Sequence, residues 1–157
     1  MKKLILLIFI FYISGCSSFG GSKGSPFNGL HDIKPNTGQV YIYRPSSFVM
    51  GGAIPTIKID DEKAEGVRNG SYMIYELLPG EHKFQLSNNA NWSAGNIDFV
   101  VKIKEGNRYF YRLTANVDDI AALGQFVTVS MGSNLNQVTE QFAIREMSQL
   151  KFTNVWP

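Results

Sequence analysis

Ile97-Asp98-Phe99-Val100-Val101-Lys102-Ile103-Lys104 sets an apolar side chain at every second position, at Ile97, Phe99, Val101 and Ile103. Successive side chains of a strand point to opposite faces, so this period of two describes a strand with one buried face. Its other face, with Asp98, Val100, Lys102 and Lys104, meets water. Glu105-Gly106-Asn107 then reads as a turn into a second β-rich run, Arg108 to Ala115, and a last strand is expected from Gln125 to about Met131. Upstream the same kind of run recurs. Val40 to Tyr43 is stopped at Arg44-Pro45, because proline lacks the ladder donor. Pro55 to Asp60 places Ile57 and Ile59 on one face, and Asp60-Asp61-Glu62-Lys63 is a polar reversal into Ala64 to Val67. Asn69-Gly70 predicts a type I′ hairpin, since both residues tolerate positive φ, and leads into Ser71 to Leu78. Pro79-Gly80 suits a type II turn, followed by Glu81 to Ser87. Only Asn134 to Leu150 departs from this pattern: Val138, Phe142, Met147 and Leu150 recur at helical spacing. The expected fold class is therefore mostly β, an antiparallel β-sandwich of about seven to eight strands with one C-terminal amphipathic helix.

Before the first strand the chain changes character twice. Lys2 and Lys3 precede an apolar stretch from Leu4 to Ile13 and the small residues Ser14 and Gly15, the order of a secretion signal. About ten apolar residues are too few for a permanent membrane span, which needs roughly 20. Ile13-Ser14-Gly15-Cys16 resembles the lipobox of bacterial lipoproteins. That resemblance implies a diacylglyceryl group on the Cys16 sulfur, cleavage between Gly15 and Cys16, and acylation of the new amino terminus, with palmitate among the expected chains. Each buried methylene adds roughly 0.8 kcal/mol and one chain binds only marginally, so three chains anchor in effect permanently. Lipoproteins kept at the inner membrane often carry Asp after the cysteine, and Ser17 here implies the outer membrane, facing the periplasm. From Ser17 to about Gly38 glycine and serine dominate, the composition of a flexible tether, although Phe19, Phe27 and Leu30 are able to dock on the domain or on a partner. The expected organisation is a signal peptide over 1–15, a lipidated terminus and tether over 16–38, and a β domain with its helix over 39–157.

Composition narrows the function. The chain has 15 Lys and Arg and 13 Asp and Glu, and removing Lys2 and Lys3 leaves 13 of each. The basic residues are scattered singly among acids, which excludes a nucleic-acid binder relying on a basic stripe. Cys16 is the only cysteine, so no intramolecular disulfide supports the fold, and stability must come from the core.

Val40-Tyr41-Ile42-Tyr43-Arg44-Pro45, Ile57-Lys58-Ile59-Asp60-Asp61, Asn69-Gly70-Ser71-Tyr72 and Leu78-Pro79-Gly80-Glu81-His82 resemble, in that order and spacing, the bacterial family called domain of unknown function 2846. The resemblance spans about residues 39 to 115. It implies a small periplasm-facing β domain, often on a lipoprotein, with no established activity.

Residues able to carry chemistry are sparse. His31 and His82 have no histidine or cysteine spaced as a metal partner, and a turn-stabilising or surface role suits His82 better than ligation. Asp60-Asp61 and Asp118-Asp119 lack the ligand-rich loop that a hard cation needs. Ser46, Ser47 and Ser71 lack a nucleophile elbow, and no helix follows Gly51-Gly52 to cradle phosphate. No catalytic residue, metal or cofactor is expected. The strand aromatics Tyr41, Tyr43, Tyr72, Tyr75, Tyr109, Phe110 and Tyr111 are read as core or cross-strand packing, on which Arg44 and Arg112 would stack. The loops from Ser46 to Ile54 and from Asn88 to Asn96 are the expected contact surfaces. Trp92 is the first candidate for an exposed anchor, with Arg44 and Tyr43 as further binding candidates; the alternative for Trp92 is to cap the end of the core. The function expected is that of a lipid-anchored, non-enzymatic module for another envelope protein or a cell-wall polymer. A lipid-anchored enzyme acting on envelope substrates is the alternative, and it requires a pocket of converging polar groups.

Overall fold

A computed structural model describes residues 22–87, 92–123 and 126–155. Gly15 and Cys16, with the expected signal and lipidation site, lie outside the described residues. The chain runs β1 (Gly38–Arg44), β2 (Thr56–Ile59), β3 (Glu62–Gly66), β4 (Ser71–Leu77), β5 (Gly80–Ser87), β6 (Ile97–Ile103), β7 (Arg108–Leu123), β8 (Phe126–Val138), helix α1 (Glu140–Met147) and β9 (Lys151–Val155). Five strands form one sheet in the order β8-β7-β1-β4-β9, and four form a second in the order β3-β2-β5-β6. The fold is mostly β, as expected, but the larger sheet is mixed where an antiparallel one was anticipated. β1 pairs antiparallel with β4 and parallel with β7, and β4 pairs parallel with β9.

The parallel pairs join strands far apart in the chain, which leaves the larger sheet for β2 and β3, and again for β5 and β6, before returning to it. Asn69-Gly70 was expected to close a hairpin, yet β3 lies in one sheet and β4 in the other. Of that pair only Gly70 has positive φ, +68°, so the turn is not type I′, which requires both. Pro79-Gly80 likewise carries the chain across from β4 to β5, with Gly80 at φ +152° and already in the strand. The polar reversal read at Asp60-Asp61 is a two-residue hairpin, with φ of +50° and +69°, joining Ile59 to its partner Glu62. Aspartate tolerates this left-handed region because its short carboxylate bonds locally. Asp60 Oδ1 accepts from the Lys83 amide at 2.9 Å, and Asp60 Oδ2 lies 2.6 Å from His82 Nδ1. His82 Nε2 lies 2.9 Å from the Leu78 carbonyl, so this histidine ties two turns together.

β1 is buried along its whole length because both its faces are covered. Val40 and Ile42 face the second sheet in a core with Ile57, Ile59, Met73, Tyr75, Phe84, Leu86, Trp92 and Leu113. Tyr41 and Tyr43 face the opposite way, into a second cluster with Tyr72, Ile74, Phe110, Ala143, Met147 and Leu150. Full burial of such a side chain contributes roughly 1.5–3 kcal/mol, so the central strand anchors both layers. The aromatics are packing residues, as read from the sequence: Tyr41 stacks on Phe110 with ring centroids 5.0 Å apart, and Phe84 on Phe99 at 5.0 Å.

α1 is shorter than the periodicity implied. Thr139 caps it, its hydroxyl accepting from the Phe142 amide, and Val138 belongs to β8. Ala143 and Met147 face the sheet. The helical spacing hid the end of β8, from Asn134 to Val138, and after α1 the chain enters β9, a strand that the sequence reading missed.

The segment expected as a tether is docked from residue 22 onward. Phe27 packs edge-on against Tyr72 at 5.4 Å, and its amide donates to the Leu150 carbonyl at 3.1 Å. Pro26 forms a bridge with Lys151, and the Phe152 amide donates to the Ser25 carbonyl at 2.8 Å. Further along, Arg108 Nη2 donates to the His31 carbonyl and Gln39 Nε2 to that of Asp32. Apolar anchors spaced along a polar segment turn it into a strap across the outer face of the larger sheet and over its β9 edge.

Candidate functional site

The longest strands make the most exposed feature. β7 has 16 residues and β8 has 13, whereas β1 pairs with β7 only as far as Tyr43 opposite Arg112. Past Leu113, β7 pairs with β8 alone among the described strands. Leu113, Ala115, Met131 and Leu135 still pack on the core. From Asn116 outward the two strands form an arm extending about 25 Å at roughly 3.4 Å per residue. The sequence reading stopped β7 at Ala115 and β8 near Met131, and so missed the arm. A signal existed: Val127, Val129, Met131 and Leu135 alternate with Thr128, Ser130, Gly132, Asn134 and Asn136.

A register shift between Val117 and Asp119 decides what the arm presents. The pairs run Leu113 with Leu135, Ala115 with Ser133, Val117 with Met131 and Ile120 with Val129. A regular ladder would turn Ile120 to the other face, since side chains alternate. The bulge at Asp118 absorbs one residue and keeps the core-facing apolar stripe continuous. Val117, Ile120 and Val129 therefore carry the core's face into water, with Ile120 65% exposed. The Ser133 hydroxyl donates to the Ala94 carbonyl at 2.8 Å, so the loop after residue 91 meets the base of the arm.

The loop from Pro45 to Pro55 comes to the same end of the domain. Arg44, 1% exposed, donates from Nη1 to the Ala53 carbonyl and from Nη2 to that of Met50, each at 2.6 Å, and its guanidinium lies 4.9 Å from the Trp92 ring centroid. Burial alone lowers this guanidinium to about 10; the carbonyls and the ring face replace part of the lost hydration. Asn69 fixes the other side of the loop, accepting from the Ser47 amide and donating to the Ser47 carbonyl, both at 2.9 Å. Phe48 stands fully exposed at the tip of this pinned loop. A rigid loop carrying an aromatic ring loses little entropy on binding.

Of the two readings of Trp92, exposed anchor or cap on the end of the core, the structure corrects the first and bears out the second: it is 0% exposed and lies in the core under Arg44. Arg44 is buried with it. Tyr43, the third candidate, points to the other face and donates its hydroxyl to Glu146 Oε2 at 2.8 Å. Arg112 does not stack on a ring as expected but grips the same carboxylate, from Nε at 2.7 Å and Nη2 at 3.1 Å. Burial opposes ionisation of Glu146, but the Arg112 and Tyr43 hydrogen bonds outweigh it and hold the carboxyl below its usual range. Burial, then the Glu146 bond, raises the Tyr43 hydroxyl above its own. Both groups thus keep fixed protonation states at neutral pH. The sequence separates β1, β7 and α1, and one carboxylate ties them together.

Around this ion pair lie two open clefts. One, of about 420 Å³, is bounded by Pro45, Ser46, Arg145, Glu146 and Gln149; the other, of about 240 Å³, by Pro45, Ser47, Arg112 and Thr114. Among the described residues no three of His, Cys, Asp and Glu are placed to hold a metal ion, and no helix is long and apolar enough to cross a membrane. A fixed aromatic tip, an apolar stripe open to water and a polar groove thus lie at one end of the fold.

No curated protein matches the chain as a relative. A family model does match, described as protein of unknown function (DUF2846), over residues 34–125. That range begins in the strap, contains β1 to β7, and reaches beyond the stretch of 39 to 115 that carries the resemblance in the sequence. It includes Arg44, Asn69, Trp92 and Arg112 and stops before β8, α1 and β9. With more than half its length matched, the chain belongs to this family of proteins of unknown function.

Proposed function

We propose that this chain is a lipid-anchored envelope lipoprotein, held through Cys16 at the periplasmic face of the outer membrane, whose sandwich-like β domain is a non-enzymatic binding module for another envelope protein or a cell-wall polymer. The observation that carries the binding role is Phe48. It is fully exposed on a loop pinned by Arg44 and Asn69, and an isolated aromatic held rigidly in water serves contact better than stability. The anchor rests on Lys2-Lys3, the apolar run and Ile13-Ser14-Gly15-Cys16. From Cys16 to Ser22 are six residues, a reach of at most about 20 Å. Ser22 Oγ donates to the Phe152 carbonyl at 3.2 Å, so the strap would hold the domain close to the bilayer with its β9 edge toward the anchor.

Two measurements test the parts separately. Labelled palmitate is expected on the wild-type chain and absent from Cys16→Ser; label retained by the variant overturns the anchor. Phe48→Asp is expected to leave the melting temperature within about 1 °C of wild type, since an exposed side chain contributes little to folding. A photoreactive residue at position 48 should join the chain to an envelope protein or to peptidoglycan fragments in intact cells. If it crosslinks to nothing above background, the binding role of this tip is wrong.

A further inference from the structure

Each sheet edge presents unpaired backbone donors and acceptors that template another strand, and proteins blunt such edges with charge, proline or a covering segment. Three of the four edges here are treated in that way. β3 reads Glu62-Lys63-Ala64-Glu65-Gly66, and β6 carries Asp98 and Lys102. β9 begins with Lys151 and lies under the strap through Pro26 and Ser25. β8 alone differs: Phe126 to Val138 contains no charged residue and no proline. It is also the longest of the four edges, and the bulge lies in β7 rather than in β8.

We infer that β8 is an interface with a second copy of this chain, the two β8 strands pairing antiparallel about a two-fold axis. The argument for a second copy is self-complementarity. On such an axis one residue faces its own copy, and residue i faces j with i + j constant and even. Any charge near the axis would oppose its like, a cost that β8 avoids entirely. In the register centred on Gly132, Val129 meets Leu135, Ser130 meets Asn134 and Phe126 meets Val138, with Met131 opposite Ser133 as an apolar-polar pair. No register of two β8 strands sets a charge against any residue. Pairing also answers a weakness of the arm, because an isolated two-stranded ribbon is only marginally stable in water. A second ribbon alongside makes it four-stranded and sets the exposed Val117, Ile120 and Val129 of the two copies on one common face. A register centred on Gly132 would lay residue 126 of each copy against residue 138 of the other, so that each arm tip reaches the base of its partner's arm.

The test uses the full-length chain in its own membranes, with photoreactive benzoylphenylalanine placed singly at Ser130, Asn134 and Asn136. The expected product has twice the chain's mass, joins a β8 peptide to a β8 peptide by mass spectrometry, and is strongest at the position nearest the axis. Ser130→Lys should reduce it at least tenfold, whereas Val100→Lys on the β6 edge should leave it unchanged, and both should keep the wild-type melting temperature. Crosslinking of β8 to a different protein, a two-chain product joined through other strands, or no product from a folded chain would each overturn the proposal. If the lipid anchor fails instead, the chain appears in the aqueous fraction, where the same β8 product is read independently.

Discussion

Trp92→Ala is expected to destabilise the domain by about 3–5 kcal/mol and to lower its melting temperature by roughly 10–20 °C. The indole is wholly buried, and it closes the end of the core between the two sheets. Removing it leaves a cavity beside the end of β1, which is held by hydrogen bonds to β4 and β7 on its two sides and is not free to close on it. It also takes the ring face from Arg44, whose guanidinium is 4.9 Å away and has already lost its water. A desolvated cation with one fewer favourable neighbour adds to the cavity cost. Arg44→Met separates the two contributions: it keeps apolar volume under the ring but takes the guanidinium donor from the Ala53 carbonyl, while that of Met50 keeps the Ala53 amide, at about 1–3 kcal/mol for a buried group left unpaired. Denaturant unfolding of both variants checks the ranking. A Trp92→Ala domain melting within about 2 °C of wild type would show that the ring is not part of the core. Loss of partner binding in this variant would follow from loosening of the Phe48 loop, not from loss of a contact made by the indole.

The second large effect lies at Glu146. Glu146→Gln should cost about 1–3 kcal/mol at neutral pH, because it removes the charge that Arg112 and Tyr43 share. The pH dependence gives a sharper readout. Since Glu146 titrates below its ordinary value of 4.5 in the folded chain, its stabilisation is complete above the unfolded value and is lost as pH falls through the folded one. Wild-type stability should therefore decline below about pH 4.5, and the Glu146→Gln curve should lack that component. Asp60 shifts in the same direction: burial opposes its ionisation, but the Lys83 amide and His82 prevail. It is half exposed, so its own acid limb is smaller and persists in the variant. Parallel wild-type and Glu146→Gln curves between pH 7 and pH 3 would refute the shared-carboxylate account.

Much of the strand content was legible because alternation and turn chemistry are local. Val40 to Tyr43, Ile57 with Ile59, and Ile97 to Ile103 lie in strands as read, and His82 steadies turns as expected. Pairing was not legible. Asn69-Gly70 and Pro79-Gly80 carry ordinary turn signals, and nothing in four residues says whether a turn keeps the chain in its sheet or sends it to the other. The polar reversal at Asp60-Asp61 was legible as a turn, but what holds it was not: the Lys83 amide and His82, more than 20 residues away, bind the left-handed Asp60.

The candidate site divides in the same way. Loop composition pointed to Ser46–Ile54 and the residues before Asn96, and both loops do meet at one end of the domain. Which of their side chains face water was decided by neighbours distant in sequence. Trp92 and Arg44 are buried because each supplies what the other lacks, a ring face for a cation and a cation for a ring. Phe48, unremarked in the sequence, is exposed because Asn69 and Arg44 hold its loop outward. The sequence by itself determined most of the strand-forming segments, the scatter of basic residues among acids and the expectation of a lipidated Cys16, all of which depend on residues adjacent in the chain. Only the tertiary structure decided that the larger sheet is mixed, that the tether is a strap, that Glu146 joins three elements, and that β7 and β8 run on into an arm. Each of those depends on which strands become neighbours, and that is settled by burial of the whole core rather than by any one segment.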